Sequence, residues 1–126
     1  MASRPKTLCC PPVLSPRLRE DDADALATAF KALADPARLR VLNFIAAQSG
    51  GEACVCHFTD LLGLAQPTVS HHLRVLYDAG IVDRERRGTW VYYRIVPERM
   101  EALRDALAAP QSDRRGRLVT SQRRRA

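Results

Sequence analysis

The residues from Ile81 to Val96 break the rhythm of everything before them, and that break limits what the chain can fold into. Up to Gly80 the apolar side chains recur every three or four residues, the spacing that gives a helix one apolar face. From Ile81 to Arg86 and again from Thr89 to Val96 the residues are rich in β-branched and aromatic types. Arg87-Gly88 lies between the two runs, so a short hairpin is expected there. Helical period returns at Pro97, with Met100, Leu103 and Leu107 on one face. An isolated hairpin is marginal in water and has to pack on helices. With 126 residues there is enough chain for one such domain and too little for two.

Before the hairpin, punctuation divides the helices. Leu26, Phe30 and Leu33 follow Asp21, Asp22 and Asp24, which favour the positive end of a helix dipole. Asp35-Pro36 then reads as an N-cap followed by proline at the first helical position. Leu39, Leu42 and Ile45 are expected to line the second helix until Ser49-Gly50-Gly51 stops it. A third, short helix covers roughly His57 to Leu62 and ends at Gly63; a fourth runs from Gln66-Pro67 to Ala79, closed by Gly80. The expected fold is mainly α with a small β-hairpin, in the order α-α-α-α-β-β-α, which is a winged helix–turn–helix layout. Residues 1–20, with Pro5, Pro11, Pro12 and Pro16, read as a flexible arm carrying Cys9 and Cys10. Residues 21–108 form the domain. Residues 109–126 are polar and Arg-rich without periodicity, so a disordered tail is expected.

Charge and cysteine usage narrow the function classes. The net charge is +6, but residues 1–20 contribute +3, residues 109–126 contribute +5, and the middle nets −2. The basic balance therefore belongs to the ends and does not by itself make the domain a nucleic-acid binder. No apolar run is long enough to span a bilayer, so no membrane association is expected. Residues 1–8 hold Arg4, Pro5 and Lys6 and no apolar region of a secretion signal, which points to a reducing cytoplasm. Gly-rich phosphate loops, nucleophile motifs, a Cys-x-x-Cys pair and a βαβ pattern are all missing from the sequence. Neither an enzyme nor an organic cofactor is expected.

The stretch from His57 to Gly80 carries the stronger positive signal. A short helix, a turn with glycine and a longer polar-faced helix are what a major-groove reader needs. Val69, Leu73 and Leu76 form the inward face of the fourth helix, leaving Gln66, Thr68, Ser70, His71 and Arg74 to meet base edges or phosphates. Arg84, Arg86 and Arg87 are expected at the hairpin tip, suited to backbone or minor-groove contact.

Four ordered motifs now carry a resemblance. Phe30-Lys31-Ala32-Leu33-Ala34-Asp35-Pro36-Ala37-Arg38, Cys54-Val55-Cys56, Gln66-Pro67-Thr68-Val69-Ser70-His71-His72-Leu73 and Trp90-Val91-Tyr92-Tyr93 together resemble the ArsR/SmtB family of bacterial metalloregulators. The resemblance spans about residues 21–108. It implies a homodimer held by the first and last helices, with Leu26, Phe30, Leu103 and Leu107 as the apolar residues that would otherwise stay exposed. It also implies a repressor on palindromic double-stranded operator DNA that leaves when a toxic metal or metalloid binds.

The cysteines then acquire a role. Cys54 and Cys56 would diverge by about 200° on a regular helix but share a face in an extended backbone. An extended or distorted start to the third helix, just after Gly50-Gly51, is therefore expected, and chelation there would re-aim the reading helix. In resembling proteins with N-terminal cysteines, the arm of one subunit supplies sulfurs to the other; Cys9 and Cys10 are expected to meet Cys54 and Cys56 that way. Thiolate-only sites favour soft ions, so As(III) or Sb(III) is the expected inducer, with Cd(II) or Pb(II) as the alternative. A thiol redox switch on the same fold is a further reading. Counting sulfurs does not decide between three and four ligands. Of the three histidines, His71 and His72 point about 100° apart and form no chelating pair. His72 shares the face of Val69 and Leu76 and is expected to pack; His57 stands beside Cys56 as an auxiliary candidate.

Overall fold

The computed structural model describes residues 11–15, 17–109, 111–112 and 118–119. It divides into two compact units, residues 28–97 and the described parts of residues 1–27 and 98–126. The elements are α1 (Glu20–Leu33), α2 (Pro36–Ala47), β1 (Glu52–Cys54), α3 (Val55–Leu62), α4 (Gln66–Asp78), β2 (Val82–Arg87), β3 (Trp90–Ile95), α5 (Pro97–Ala106), β4 (Gln111–Ser112) and β5 (Leu118–Val119). Among the described residues no helix is long and apolar enough to cross a membrane. The winged helix–turn–helix order holds, with β1 added within it and β4 and β5 after it.

Local chemistry explains the boundaries of the central unit. Asp35 caps α2: its Oδ1 accepts from the N–H groups of Ala37 at 2.8 Å and Arg38 at 3.2 Å, and Pro36 follows where a missing N–H costs nothing. Those bonds, above all the one from Arg38, hold the Asp35 carboxyl below the usual range. A single 3₁₀ turn, Ser49–Gly51, ends the helix and redirects the backbone into β1, with Gly50 at φ +83. α3 ends on Gly63 at φ +67, a left-handed cap that L side chains avoid.

β1 joins the hairpin strands in one sheet. The sheet order is β1-β3-β2, antiparallel throughout, with Glu52 opposite Arg94, Ala53 opposite Tyr93 and Cys54 opposite Tyr92. In the hairpin Arg87 pairs with Trp90, so the loop is Gly88-Thr89, one residue later than expected. Gly88 takes φ +65 there. Arg87 is thereby a strand residue rather than a tip residue.

Val41, Ile45, Phe58, Val69, Leu73, Leu76 and Ile81 are fully buried and form the core of this unit, with the Phe44 and Phe58 rings 4.8 Å apart. Leu39, expected on the inner face of α2, is 52% exposed. Steps of three residues fall about 60° short of a full turn, so Leu39 sits about 120° from Ile45, and Val41 takes the core position instead.

In the terminal unit Leu26 and Leu103, expected to stand exposed, are each 3% exposed within the single chain, while Leu107 is 59% exposed. Ala106 is also buried, and its carbonyl accepts from the Val13 N–H at 2.9 Å, so the start of the described chain lies along the end of α5. Gln111 pairs with Val119 and Ser112 with Leu118, within a stretch whose sequence carries no periodicity.

Candidate nucleic-acid interface and thiol site

α3, the Gly63 turn and α4 form the helix–turn–helix. On α4 the inward residues Val69, Leu73 and Leu76 are fully buried, and Gln66, Thr68, Ser70, His71 and Arg74 are all exposed. Thr68, Ser70 and His71 are weak helix formers; here burial of the opposite face holds them in place. Pro67, Ser70, His71, Arg74, Arg84 and Tyr93 line an open cleft of about 480 Å³ between α4 and the hairpin. Its polar side chains carry two hydroxyls, an imidazole and two guanidinium groups. That set suits a phosphate backbone bordering a groove.

Strand alternation sorts the hairpin cations. Arg84 and Arg86 share the face of Val82, whose side chain is buried, and the Arg84 guanidinium lies 3.9 Å from the centre of the Tyr77 ring. Stacking there holds Arg84 toward the cleft with its charge undiminished. Arg86 is exposed and makes a 3.5 Å contact to the Gly88 carbonyl. Arg87 points to the other face, where it donates to both Glu52 oxygens at 2.7 and 2.8 Å and to Glu85 at 2.9 Å, above the Tyr92 ring. Arg94 joins the same carboxylates at 3.2 and 3.5 Å. The Arg87 hydrogen bond holds the Glu52 carboxyl below the usual range, and Glu52 with Glu85 raises Arg87 in return. So Arg87, expected to meet DNA with its charge free, has that charge matched within the protein.

Sequence reasoning missed Glu52, Arg94 and Tyr77. The alternation of Arg84, Glu85, Arg86 and Arg87 was a readable signal that Arg87 belongs with Glu85. Glu52 had none, because a three-residue strand is too short to show a period.

The thiol segment adjoins this sheet. Cys54 is the last residue of β1 and the N-cap of α3, with φ −87 and ψ 147, an extended backbone. α3 begins at Val55, two residues earlier than expected, so Cys56 lies in its first turn and only Cys54 keeps the extended backbone. Cys54 is fully buried and Cys56 half-buried, and both are free thiols. The Cys54 Sγ accepts from the Cys56 N–H at 3.3 Å, and the His57 Nδ1 accepts from the Cys54 N–H at 3.4 Å. This reciprocal cap engages the Nδ1 of His57, which tells against that nitrogen as a ligand in this conformation. The Cys54 side chain, and then burial, push the Cys56 thiol above its ordinary range. Among the described residues no third Cys, His, Asp or Glu joins them. Two sulfurs fall short of the three that suit pyramidal As(III) or the four that suit a tetrahedral ion, and Cys9 and Cys10 lie outside the described residues.

Comparison with known proteins bears on both sites. The family model for bacterial regulatory proteins of the arsR family matches residues 35–84. An uncharacterized HTH-type transcriptional regulator of Methanocaldococcus jannaschii is 46% identical over 74 residues, 59% of this chain and 81% of that one. An arsenic resistance transcriptional regulator of Pseudomonas putida is 51% identical over 69 residues, 55% of this chain and 52% of that one. Among solved structures, the AntR antimony-specific transcriptional repressor superposes with a TM-score of 0.58 at 32% identity, covering 75% of this chain and 86% of that one. The chain belongs to the arsR family of bacterial regulatory proteins, and is a DNA-binding transcriptional repressor rather than an enzyme.

Proposed function

We propose that this repressor releases its operator when As(III) or Sb(III) is captured by cysteine thiolates that include Cys54 and Cys56. The observation that carries the reading is the double membership of Cys54, which ends the strand paired to the wing and caps the first helix of the helix–turn–helix. A ligand that reorients Cys54 acts on both DNA-reading elements through covalent and hydrogen-bonded backbone. The Pseudomonas relative named for arsenic resistance and the antimony-specific structural relative support the choice of ion. Completion of the site falls to Cys9 and Cys10, from the same chain or from a second copy. In the proposal the repressor is a homodimer on a palindromic operator. With Leu26 and Leu103 already buried, Phe30, half-buried, and Leu107, exposed, remain as its apolar contacts.

DNA contact falls to Gln66, Thr68, Ser70, His71 and Arg74 on α4, with Arg84 and Arg86 from the wing. The deciding experiment is fluorescence anisotropy of the reduced protein on labelled DNA from upstream of its own gene, titrated anaerobically with As(III). Release near one equivalent per site, lost in Cys54→Ser/Cys56→Ser, is expected. Tight binding that As(III) leaves untouched would sink the reading; Cd(II), Pb(II) and then peroxide on the same sample identify the trigger.

A further inference from the structure

Arg38 is the most heavily used cation among the described residues of the central unit, and no DNA-facing or thiol role accounts for it. Its side chain is 14% exposed. Its Nε donates to the Ala32 carbonyl at 2.6 Å and its Nη2 to the Lys31 carbonyl at 3.3 Å, which caps the C-terminal end of α1. Its Nη1 lies 3.9 Å from Asp35 Oδ2 and 3.2 Å from the Nδ1 of His72, on α4. One guanidinium therefore ties the end of α1, the cap of α2 and the middle of the DNA-reading helix.

We propose that Arg38 is a positioning residue for DNA recognition, fixing α4 against the end of α1 through the neutral ring of His72. A guanidinium only donates, so the contact needs a lone pair on Nδ1 and places the ring proton on Nε2. Protonating His72 would set two donors against each other at 3.2 Å and open the clamp. The charged groups acting on the ring are Asp35 and Arg38 from α2 and its neighbour His71 on α4. Burial, with Arg38 and His71, outweighs the attraction of Asp35 and keeps the ring neutral below its ordinary range. His72 does not itself line the cleft; Ser70, His71 and Arg74, its neighbours on α4, do. The clamp would thus act on the angle at which those side chains are presented.

The test is operator affinity of the reduced full-length protein between pH 7.5 and 5.5 at constant ionic strength, without inducer, so that failure of the thiol reading leaves it untouched. Wild type should lose affinity on acidification, approaching about tenfold per pH unit once the ring titrates. His72→Gln, whose amide oxygen accepts from Arg38 without titrating, should keep the neutral-pH affinity and lose that fall. Arg38→Lys, which keeps the charge but not the forked geometry, should bind several-fold more weakly at every pH while remaining folded by circular dichroism. His71→Gln, which leaves the Arg38–His72 contact in place, serves as a control and should keep the acid-induced fall. An acid-induced fall of the same size in wild type and His72→Gln, or wild-type affinity in Arg38→Lys, overturns the proposal.

Discussion

Cys54 and Tyr92 stand directly opposite each other in one antiparallel ladder. A buried thiol at the start of the helix–turn–helix is in this way a strand partner of the wing, and the residue two places before it, Glu52, holds Arg87 and Arg94 by charge. Backbone pairing and side-chain pairing couple the same two segments.

That division of charge predicts an unequal response of DNA binding to salt. Each phosphate contact contributes about 0.9 to the slope of log affinity against log salt concentration. Arg84→Ala should flatten the slope by about one such contact, whereas Arg87→Ala, whose charge is matched by Glu52 and Glu85, should change it by far less. Anisotropy titrations at four potassium chloride concentrations measure both; equal slopes for the two variants would contradict the assignment.

Acid should expose the Glu52 contribution. The folded-state value lies below the ordinary 4.5, so the ionised carboxylate contributes stability above that value, lost as pH falls through the folded one. Urea unfolding from pH 7 to 3 should show a shallower acid decline for Glu52→Gln than for wild type, once Asp35 and other groups common to both are subtracted. Parallel curves would remove Glu52 from the acid response.

Core and surface leucine-sized positions should separate cleanly. Phe58→Ala removes a fully buried ring packed against Phe44 and should cost about 3–5 kcal/mol. Leu39→Ala, on the exposed side of α2, should stay within about 0.5 kcal/mol of wild type. Chemical denaturation with a shared slope decides it, and a large loss in Leu39→Ala would mean that α2 is oriented otherwise.

The two thiols should differ in the same assay. Cys54→Ser places a hydroxyl in a fully buried site and should cost about 1–3 kcal/mol, whereas Cys56→Ser, half-buried, should be nearly neutral. The comparison also shows which single variant is safe for ligand titrations. Equal destabilisation would mean that burial does not distinguish them.

Much of the fold was written in residues with strong local preferences. Asp35-Pro36, Gly63 and Gly80 mark real helix limits, and the β-branched run after Gly80 did form the wing. What escaped the sequence has tertiary causes. β1 exists because β3 offers an unpaired edge to Glu52–Cys54, and no periodicity within three residues announces that. Leu39 looked like a core residue by type, yet Val41, Leu42 and Ile45 take the buried positions of α2, since fit decides among apolar side chains. At the site, identity of the polar residues on α4 was legible because one face is so clearly apolar. The pairing of Arg38 with His72, 34 residues apart, was not.

The two-residue loop at Gly88-Thr89 fixes more than a turn. Because side chains alternate along β2, inserting or deleting one residue ahead of Gly88 would exchange the two faces beyond that point, aiming Arg87 where Arg86 points. The wing would keep its composition and net charge while directing a different cation toward the cleft. In this segment, then, the count of residues is as restrictive as their kind. A drifting lineage could replace these arginines one by one more safely than it could change the hairpin's length.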